Sequence, residues 1–582
     1  MKNYKKVYAA FILASGLILH GCNGIFDDLA INPNQPSMGA YFTSPSAVND
    51  AVMTMYGYMS TQRCLGASGS KTTIIRSDEA SSNSDYGKPG MFGADLNASY
   101  YTIEQPYTLM YTTASQASYI IETAPSVDFS GNEELRNAYM GEAYFWRAFA
   151  HYYLLINFRN ISPIRQMPRN GDDYVRPLEK PAAVWNFIQE DLAHAKELLP
   201  VKGYWDSKNA GRVTKASAAA LLGKAYLYRS GIEQYYGEDK TTFYSEAAKE
   251  FGDIIDGKYG TYDLTKNYAD NFDVAHENNE ESILEFQFLG DVDNAGFNPG
   301  LATSGLAFDS RGLMLPGAGV GYEGVVHNWL YNAFVNSIDK DGYTDIRMFS
   351  TMIFNDLDAS IHLRNDAGSN PVRLEGPGGY KWEELYPAKN GKEGFATVSN
   401  PLAHPFKAGI RKGIDCSMPT QTEADGTPKL VGVGAGVKEY VYNQPRAHGV
   451  NWRYIRYADV LMMYAEAVVS GGAQASNMTP LQAVNKVRGR ANMSELPSVT
   501  MADIQNERIL EFALEGHRFY DLLRWGKLAS RFTELQESDP NFKKFISADD
   551  FKGFVTNKHE WLPIPINEVN SNPYITENNP GY

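Results

Sequence analysis

The apolar residues of this chain fall into three textures. The first lies at the start, where a basic head (Lys2, Lys5, Lys6) precedes an apolar run from Val7 to Leu19. A charged head followed by a short apolar core is the pattern of a secretory signal. At about 13 residues the core is too short to span a bilayer of ~30 Å as a helix. His20, Gly21 and Cys22 follow, and a Cys after a small residue at the end of such a core reads as a bacterial lipoprotein site. On that reading residues 1–21 are removed and Cys22 becomes a lipid-carrying N-terminus. His20 stands where a small or β-branched residue is usual, so an ordinary signal peptide cut elsewhere is the alternative. Residues 22–45 read as an extended tether, because Asn32-Pro33-Asn34-Gln35-Pro36 cannot continue a helix.

The second texture is helical and covers residues 46–289. Residues 134–158 carry apolar side chains on nearly all sides, the mark of a helix buried between neighbours. Gly141, Ala143, Ala148 and Ala150 leave room for another helix to approach, and Asn157 with Pro163 marks the end. Thr214 is an N-cap for a helix running to Arg229, with Ala216, Ala220 and Gly223 as its small face. Phe243–Ile255 follows, with Ala247, Phe251, Ile254 and Ile255 on one stripe. Paired helices that alternate large and small residues follow the grammar of tetratricopeptide-like hairpins, here irregularly spaced.

From Gly290 to Gly449 the helical period is lost and Gly, Asn, Asp and Pro become frequent. The stretch is too long for a plain loop and reads as an irregular subdomain or insertion. Only Val325–Val335 and Arg347–Phe354 suggest short elements within it. Helical spacing returns over residues 450–582. Tyr457, Val460, Leu461, Tyr464, Ala465 and Val468 form one stripe. Thr479-Pro480 is an N-cap with Pro at the first helical position, and Leu481, Val484 and Val487 continue from it. Thr500 with Asp503 forms a capping box whose helix is expected to end near Gly516.

Composition narrows the function classes. A net charge of −15 argues against nucleic acid, since a backbone-binding surface needs clustered Lys and Arg. No other segment is long and apolar enough to span a membrane. With Cys22 assigned to lipid, Cys64 and Cys416 remain, too few for a disulfide framework, and their pairing stays open. Tyr occurs 38 times, with 28 Phe and 8 Trp, many of them in polar, Gly-rich stretches. Rings presented from loops suit sugar faces, although most aromatics fill gaps between helices.

Four strings in the last third carry a resemblance: RYADVLMMYAEA (Arg456–Ala467), NKVRGRA (Asn485–Ala491), ERILEFALEGHRFYDLLRWG (Glu507–Gly526) and LPIPINEVNSNP (Leu562–Pro573). In this order they closely resemble the SusD/RagB family of outer-membrane nutrient-binding lipoproteins of Bacteroidetes. Asp345-Ile346-Arg347 resembles the family's Asp-Pro-Arg segment, with Ile for Pro. The resemblance implies a mainly α fold, in which degenerate tetratricopeptide-like hairpins support an irregular, loop-rich ligand-binding subdomain. It implies a surface-facing lipoprotein of the outer membrane, anchored by its lipid, that binds oligosaccharide or polysaccharide. The bound glycan would pass to a SusC-like TonB-dependent transporter partner. A peptide- or protein-capturing receptor of the same fold is an alternative. Asp27 and Asp28 resemble the acidic signal that sends such lipoproteins to the outer face.

By order along the family chain, one ligand loop falls at Asp78–Tyr101, with Asp85 and Tyr86 as candidates. A second, in the irregular middle, offers Trp329, Tyr380, Trp382 and Tyr386, with Arg373 or Glu383 as hydrogen-bond partners. Trp205, in a Gly-Tyr-Trp-Asp turn, is a further candidate.

The same strings are rich in charge. Glu507, Glu511 and Glu515 stand four apart, and Arg518, Asp521 and Arg524 three apart. Exposed, such pairs add a few tenths of a kcal/mol each, and packed beneath loops they fix geometry. They read as scaffold, and the chain as a binding protein without cofactor or catalytic residues. No G-x-S-x-G elbow or Walker A loop occurs, and His276-Glu277-Asn278-Asn279-Glu280 lacks the second His of a zinc site. A glycoside hydrolase needs only two suitably spaced carboxylates, so that alternative stays open. Asp339, Asp341 and Asp345 around Gly342, like Asp291 and Asp293, read as solvated turns rather than calcium loops.

Overall fold

The computed structural model describes residues 42–61, 63–66, 68–81, 92, 96–169, 171–288, 325–354, 360–363, 408–412, 424, 430–432, 438–440, 450–539, 542 and 553–582. The segment read as a signal, with Cys22, and most of the expected tether lie outside these residues.

Among the described residues, seven helices build the first half: α1 (Pro45–Ser60), α2 (Ser68–Ile75), α3 (Tyr101–Thr123), α4 (Glu133–Phe158), α5 (Pro181–Leu198), α6 (Lys215–Tyr236) and α7 (Tyr244–Ile255). From α3 onward each packs on the next in chain order. The expected all-round burial of α4 holds: Phe145, Trp146, Phe149 and Tyr152 are all fully buried. Its Gly141 lets the end of α5 come close, since a Cβ there would lie 2.9 Å from Leu199 Cγ. On α6, Gly223 likewise receives the ring of Phe251, where a Cβ would lie 2.7 Å from Cε1. Two stripes read from the sequence are therefore the two sides of one contact. The backbone N–H of Thr214 donates to Ser217 Oγ at 3.1 Å and starts α6 as expected.

Short strands and helices follow. A four-stranded antiparallel sheet has the order β1 (Ala80–Ser81), β3 (Val325–Val326), β5 (Ala408–Ile410), β4 (Met352–Phe354). Helices α8 (Asn328–Val335) and α9 (Met348–Thr351) flank it, in the two places where short elements were expected. A second antiparallel pair joins β2 (Ser282–Phe286) to β8 (Trp452–Arg456), with Ser282 opposite Arg456 and Phe286 opposite Trp452. Beside it, Phe288 N–H donates to Asn451 Oδ1 at 2.7 Å. The two borders of the irregular stretch thus stand side by side. Strands β6 (Leu430–Gly432) and β7 (Lys438–Tyr440) form a separate hairpin-like pair.

The last third returns to helix: α10 (Tyr457–Val469), α11 (Pro480–Arg490), α12 (Met501–Glu511), α13 (Arg518–Arg524), α14 (Leu528–Ser538) and α15 (Ile566–Ser571). Helix α10 packs on α7 and α11, and α13 packs on α6, so the C-terminal third completes the core of the first half. Both expected caps are present. Gln482 N–H donates to Thr479 Oγ1 at 3.2 Å, and Asp503 N–H to Thr500 Oγ1 at 3.3 Å. One boundary differs from expectation. Helix α12 ends at Glu511, not near Gly516. Leu514 sits at φ 62°, and its N–H is taken by Glu79 Oε1 at 3.0 Å, so a tertiary acceptor breaks the helical ladder early. Gly516, at φ 84°, then turns the chain into α13.

Candidate functional site

Three of the four strings singled out in the sequence, with the Asp345-Ile346-Arg347 segment, meet in one buried ionic lattice. Arg456, at the end of β8, reaches Glu281 (2.6 Å), Glu511 (2.6 Å) and Glu515 (2.9 Å). Arg347, from the Asp-Ile-Arg segment, holds Asp345 (2.7 Å), Glu507 (2.5 Å) and Glu511 (3.0 Å). Arg490 pairs with Glu281 and Glu511, Arg488 with Glu507, and Lys412 with Glu515. Five cations (Arg347, Lys412, Arg456, Arg488, Arg490) thus face five carboxylates (Glu281, Asp345, Glu507, Glu511, Glu515). Buried charge is tolerated only when paired and hydrogen-bonded, and here the pairing balances. Burial alone would raise the Glu511 carboxyl, but Arg490, Arg456 and Arg347 outweigh it and hold it well below the usual carboxylate range. Burial pushes Lys412 down to about 8, against the pull of Glu515.

A second balanced group lies alongside: Lys224, Arg508 and Arg524 against Asp459, Asp521 and Glu466. All six are buried. These carboxylates are taken up by guanidinium and ammonium groups, which suits scaffold rather than acid–base chemistry. Glu515 joins the lattice from the turn beyond α12, not from the helical face that its spacing implied. Among the described residues no group of three or more His, Cys, Asp or Glu is set out to hold a metal ion. Asp345 is taken by Arg347, while Asn492 Nδ2 donates to Asp339 (3.0 Å) and Asp341 (2.8 Å). Asp291 and Asp293 lie outside the described residues.

Asp78, at the start of the first expected ligand loop, meets Trp329, on α8. Its Nε1–H donates to the carbonyl of Asp78 at 2.5 Å, and the Arg531 guanidinium lies 4.3 Å from its ring centroid. Asp78 is gripped by Arg518 (2.9 Å) and Arg531 (2.7 Å), whose attraction outweighs burial and lowers its carboxyl. Strand β1, next in the chain, pairs with β3, which leads into α8. His327 N–H adds a bond to the Glu79 carbonyl at 2.9 Å. The segment that opens the first loop and the Trp of the second are therefore locked together on α13 and α14. Trp329 remains half-buried. Sequence reading did not single out Arg531; its only local signal was an i,i+3 pairing with Glu534.

Trp205 lies elsewhere. Its Nε1–H donates to the Val213 carbonyl at 3.1 Å, and the Arg212 guanidinium lies 4.2 Å from its ring. Arg212 is itself fixed by buried Glu142 at 2.5 Å. Trp205 is half-buried, and no described contact joins it to the Trp329 group. Asp85, Tyr86, Arg373, Tyr380, Trp382, Glu383 and Tyr386 lie outside the described residues. Cys64 is a buried thiol pushed up to about 12 by burial, and Cys416 also lies outside. No helix among the described residues is long and apolar enough to cross a membrane.

Comparison with known proteins places this architecture. Residues 429–582 match the SusD family, and residues 31–227 match the family described as starch-binding associating with outer membrane. A SusD-like protein of Bacteroides ovatus is 25% identical over 533 residues, covering 90% of this chain and 83% of that protein. A SusD superfamily protein from Bacteroides vulgatus superposes with a TM-score of 0.68 at 22% identity, over 93% of this chain and 100% of that one. A laminarin-binding SusD-like protein superposes with a TM-score of 0.62 at 22% identity, over the same shares. The first match takes in the strings that build the ionic lattice, the second takes in the helices α1 to α5 and most of α6, and the two together span more than half of the sequence: the chain belongs to the SusD/RagB family.

Proposed function

We propose that this protein is a lipid-anchored glycan receptor of the outer cell surface, which binds oligosaccharide or polysaccharide and passes it to a partner TonB-dependent transporter without breaking bonds. The observation that carries the reading is the Trp329 site. Trp329, half-buried, has its indole held by Asp78 and Arg531 at the segment that opens the first expected ligand loop. A flat ring fixed in this way gives the C–H face of a sugar an apolar platform, and loop residues around it supply hydrogen bonds to hydroxyls. Asp85 and Tyr86 follow β1 by a few residues, and Arg373, Tyr380, Trp382 and Tyr386 belong to the irregular stretch that β2 and β8 bracket. They are our candidates to complete the site, with Trp205 as a separate one.

The laminarin-binding relative supports glycan as the ligand class, and the family description supports the outer membrane as the place. The ionic lattice supports the non-enzymatic reading, because its carboxylates are neutralised by arginines. On this reading residues 46–289 are the supporting helices, 290–449 an inserted ligand-binding subdomain and 450–582 the region that locks them together.

Affinity electrophoresis of the purified chain against a polysaccharide panel tests the proposal. Retardation by one or more glycans without released sugar is the expected result. Turnover by the pure protein overturns the non-enzymatic reading, and retention by peptides but no glycan overturns the ligand class. Mass spectrometry of the mature N-terminus tests the anchor, with an acylated Cys22 expected.

A further inference from the structure

A small cavity lies where α2, α4, α6, β8 and the turn into α13 meet, and Tyr152, Lys224, Tyr454 and His517 are among the residues lining it. It has room for a single water molecule. Three polar atoms of its lining residues are fully buried without a hydrogen bond among the described residues: the hydroxyls of Tyr152 and Tyr228, and Nε2 of His517. The Tyr228 hydroxyl has Arg524 within reach, which leaves Tyr152 and His517. Buried polar groups in folded proteins are satisfied by protein or by ordered water.

The protonation of His517 follows from its other nitrogen. Lys224 Nζ lies 3.2 Å from Asp459 Oδ2 and 3.3 Å from His517 Nδ1. An ammonium group has donors only, so Nδ1 accepts, and the single proton of the neutral ring sits on Nε2. Burial first, and then the charge of Lys224, keep the ring neutral. Arg508 and Arg456 also act on it with positive charge, and Asp459 with negative charge. Nε2–H is then a donor in need of an acceptor, and Tyr152 offers a hydroxyl that both donates and accepts.

We propose that the cavity is a binding site for one ordered water, which accepts from His517 Nε2–H and hydrogen-bonds the Tyr152 hydroxyl. The water closes a chain that runs from Tyr152 on α4, through His517 and Lys224 on α6, to Asp459 on α10. It adds a link from α4 to the contact that Lys224 of α6 already makes with His517 and Asp459 in the C-terminal third. By holding the proton on Nε2 it also keeps Nδ1 free to receive Lys224, and so keeps that ammonium against Asp459.

A crystal structure of the mature chain, at a resolution that shows ordered water, tests the site. One peak within about 2.7–3.2 Å of both His517 Nε2 and Tyr152 Oη is expected. An empty cavity, a peak that touches only one of the two groups, or density for a heavier ion overturns the proposal. Nitrogen chemical shifts of His517 in the unmodified chain give a second reading: the Nε2–H tautomer is expected, and Nδ1–H overturns it. In Tyr152→Phe, checked for folding by circular dichroism, the peak is expected to be lost or displaced. An unchanged peak at full occupancy overturns the bridge.

Discussion

Arg456 and Glu511 are joined twice: Arg456 Nη1 donates to Glu511 Oε1 at 2.6 Å, and Arg456 Nη2 to the Glu511 backbone carbonyl at 2.8 Å. The second bond falls at the last residue of α12, where the helix carbonyls lose their own partners. One guanidinium therefore ends a helix and neutralises a buried carboxylate at once. It comes from β8, whose partner β2 supplies the neighbouring Glu281 through the adjoining turn.

The fold therefore tolerates the loss of Arg456 poorly. Arg456→Ala leaves Glu281, Glu511 and Glu515 short of a cation in a buried site. The expected cost is about 3–5 kcal/mol, the range for stranding buried charge. Arg456→Lys restores the charge but not the fork of donors, so only part of that loss is recovered. Denaturant unfolding of the three proteins checks the order parent, Lys, Ala; equal midpoints would refute it.

Glu79 gives the protein a pH dependence of opposite sign to its buried histidines. Burial first, and then the charge of adjacent Asp78, push its carboxyl up to about 8. The unfolded value is near 4.5, so between about 4.5 and 8 the folded state holds the extra proton, and this contribution to stability falls as pH rises. Glu79→Gln is neutral and can keep the bonds to Leu514 N–H and the Ser77 hydroxyl. Its stability relative to the parent is expected to rise across that window, by at most about 1.4 kcal/mol per pH unit. A constant difference between pH 5 and 8 contradicts the assignment.

His151 acts in the other direction. Its Nε2 accepts from Ile164 N–H at 2.9 Å, so Nδ1–H donates to the Arg147 carbonyl at 2.8 Å. Burial lowers the ring to about 3, and acidification cannot protonate it without breaking the bond from Ile164. The unfolded chain takes up this proton near 6.5, so its contribution to stability is complete above about 6.5 and is lost as pH falls towards 3. Thermal melts of parent and His151→Gln are expected to converge in that acid range, and parallel curves would exclude this role.

Trp329 is expected to matter for ligand and little for folding. Trp329→Ala combined with Trp382→Ala should weaken glycan retention by about tenfold or more, the effect of losing an aromatic anchor of ~1.4 kcal/mol or above. Trp329→Phe keeps a ring but drops the bond to the Asp78 carbonyl, and is expected to fall between. Unchanged retention in the double variant, with normal circular dichroism, rejects this platform.

Close approach at Gly223 predicts an overpacking effect. A Cβ there would lie 2.7 Å from the Phe251 ring, which is fully buried. Gly223→Ala is expected to cost about 1–3 kcal/mol despite the better helix propensity of Ala. A melting temperature equal to or above the parent's would contradict the contact.

Much of the architecture was legible in local pattern. The burial of α4, the caps at Thr214, Thr479 and Thr500, and the short elements near 325–335 and 347–354 all depend on residues within a few positions of one another. Gly223 and Phe251 could each be read as part of a stripe. That they touch could not, because the periodicity of one helix does not name its partner. The end of α12 was misplaced for a related reason: Gly516 is a local stop signal, while the acceptor that breaks the ladder earlier is Glu79, 435 positions away.

By itself, then, the amino-acid order determined the family, the helices α4, α6, α7, α10 and α11, the caps at Thr214, Thr479 and Thr500, and which strings carry paired charge, while α1, α2, α3, α5, α14 and α15 were not read individually. Tertiary structure alone decided that Arg347 meets Glu507 across 160 positions, that Lys224 meets Asp459 across 235, and that Asp78 holds Trp329. The physical reason is range. Helical period and capping are settled between residues a turn apart, whereas a buried ion pair forms only where packing removes water from both partners, and that depends on the whole fold.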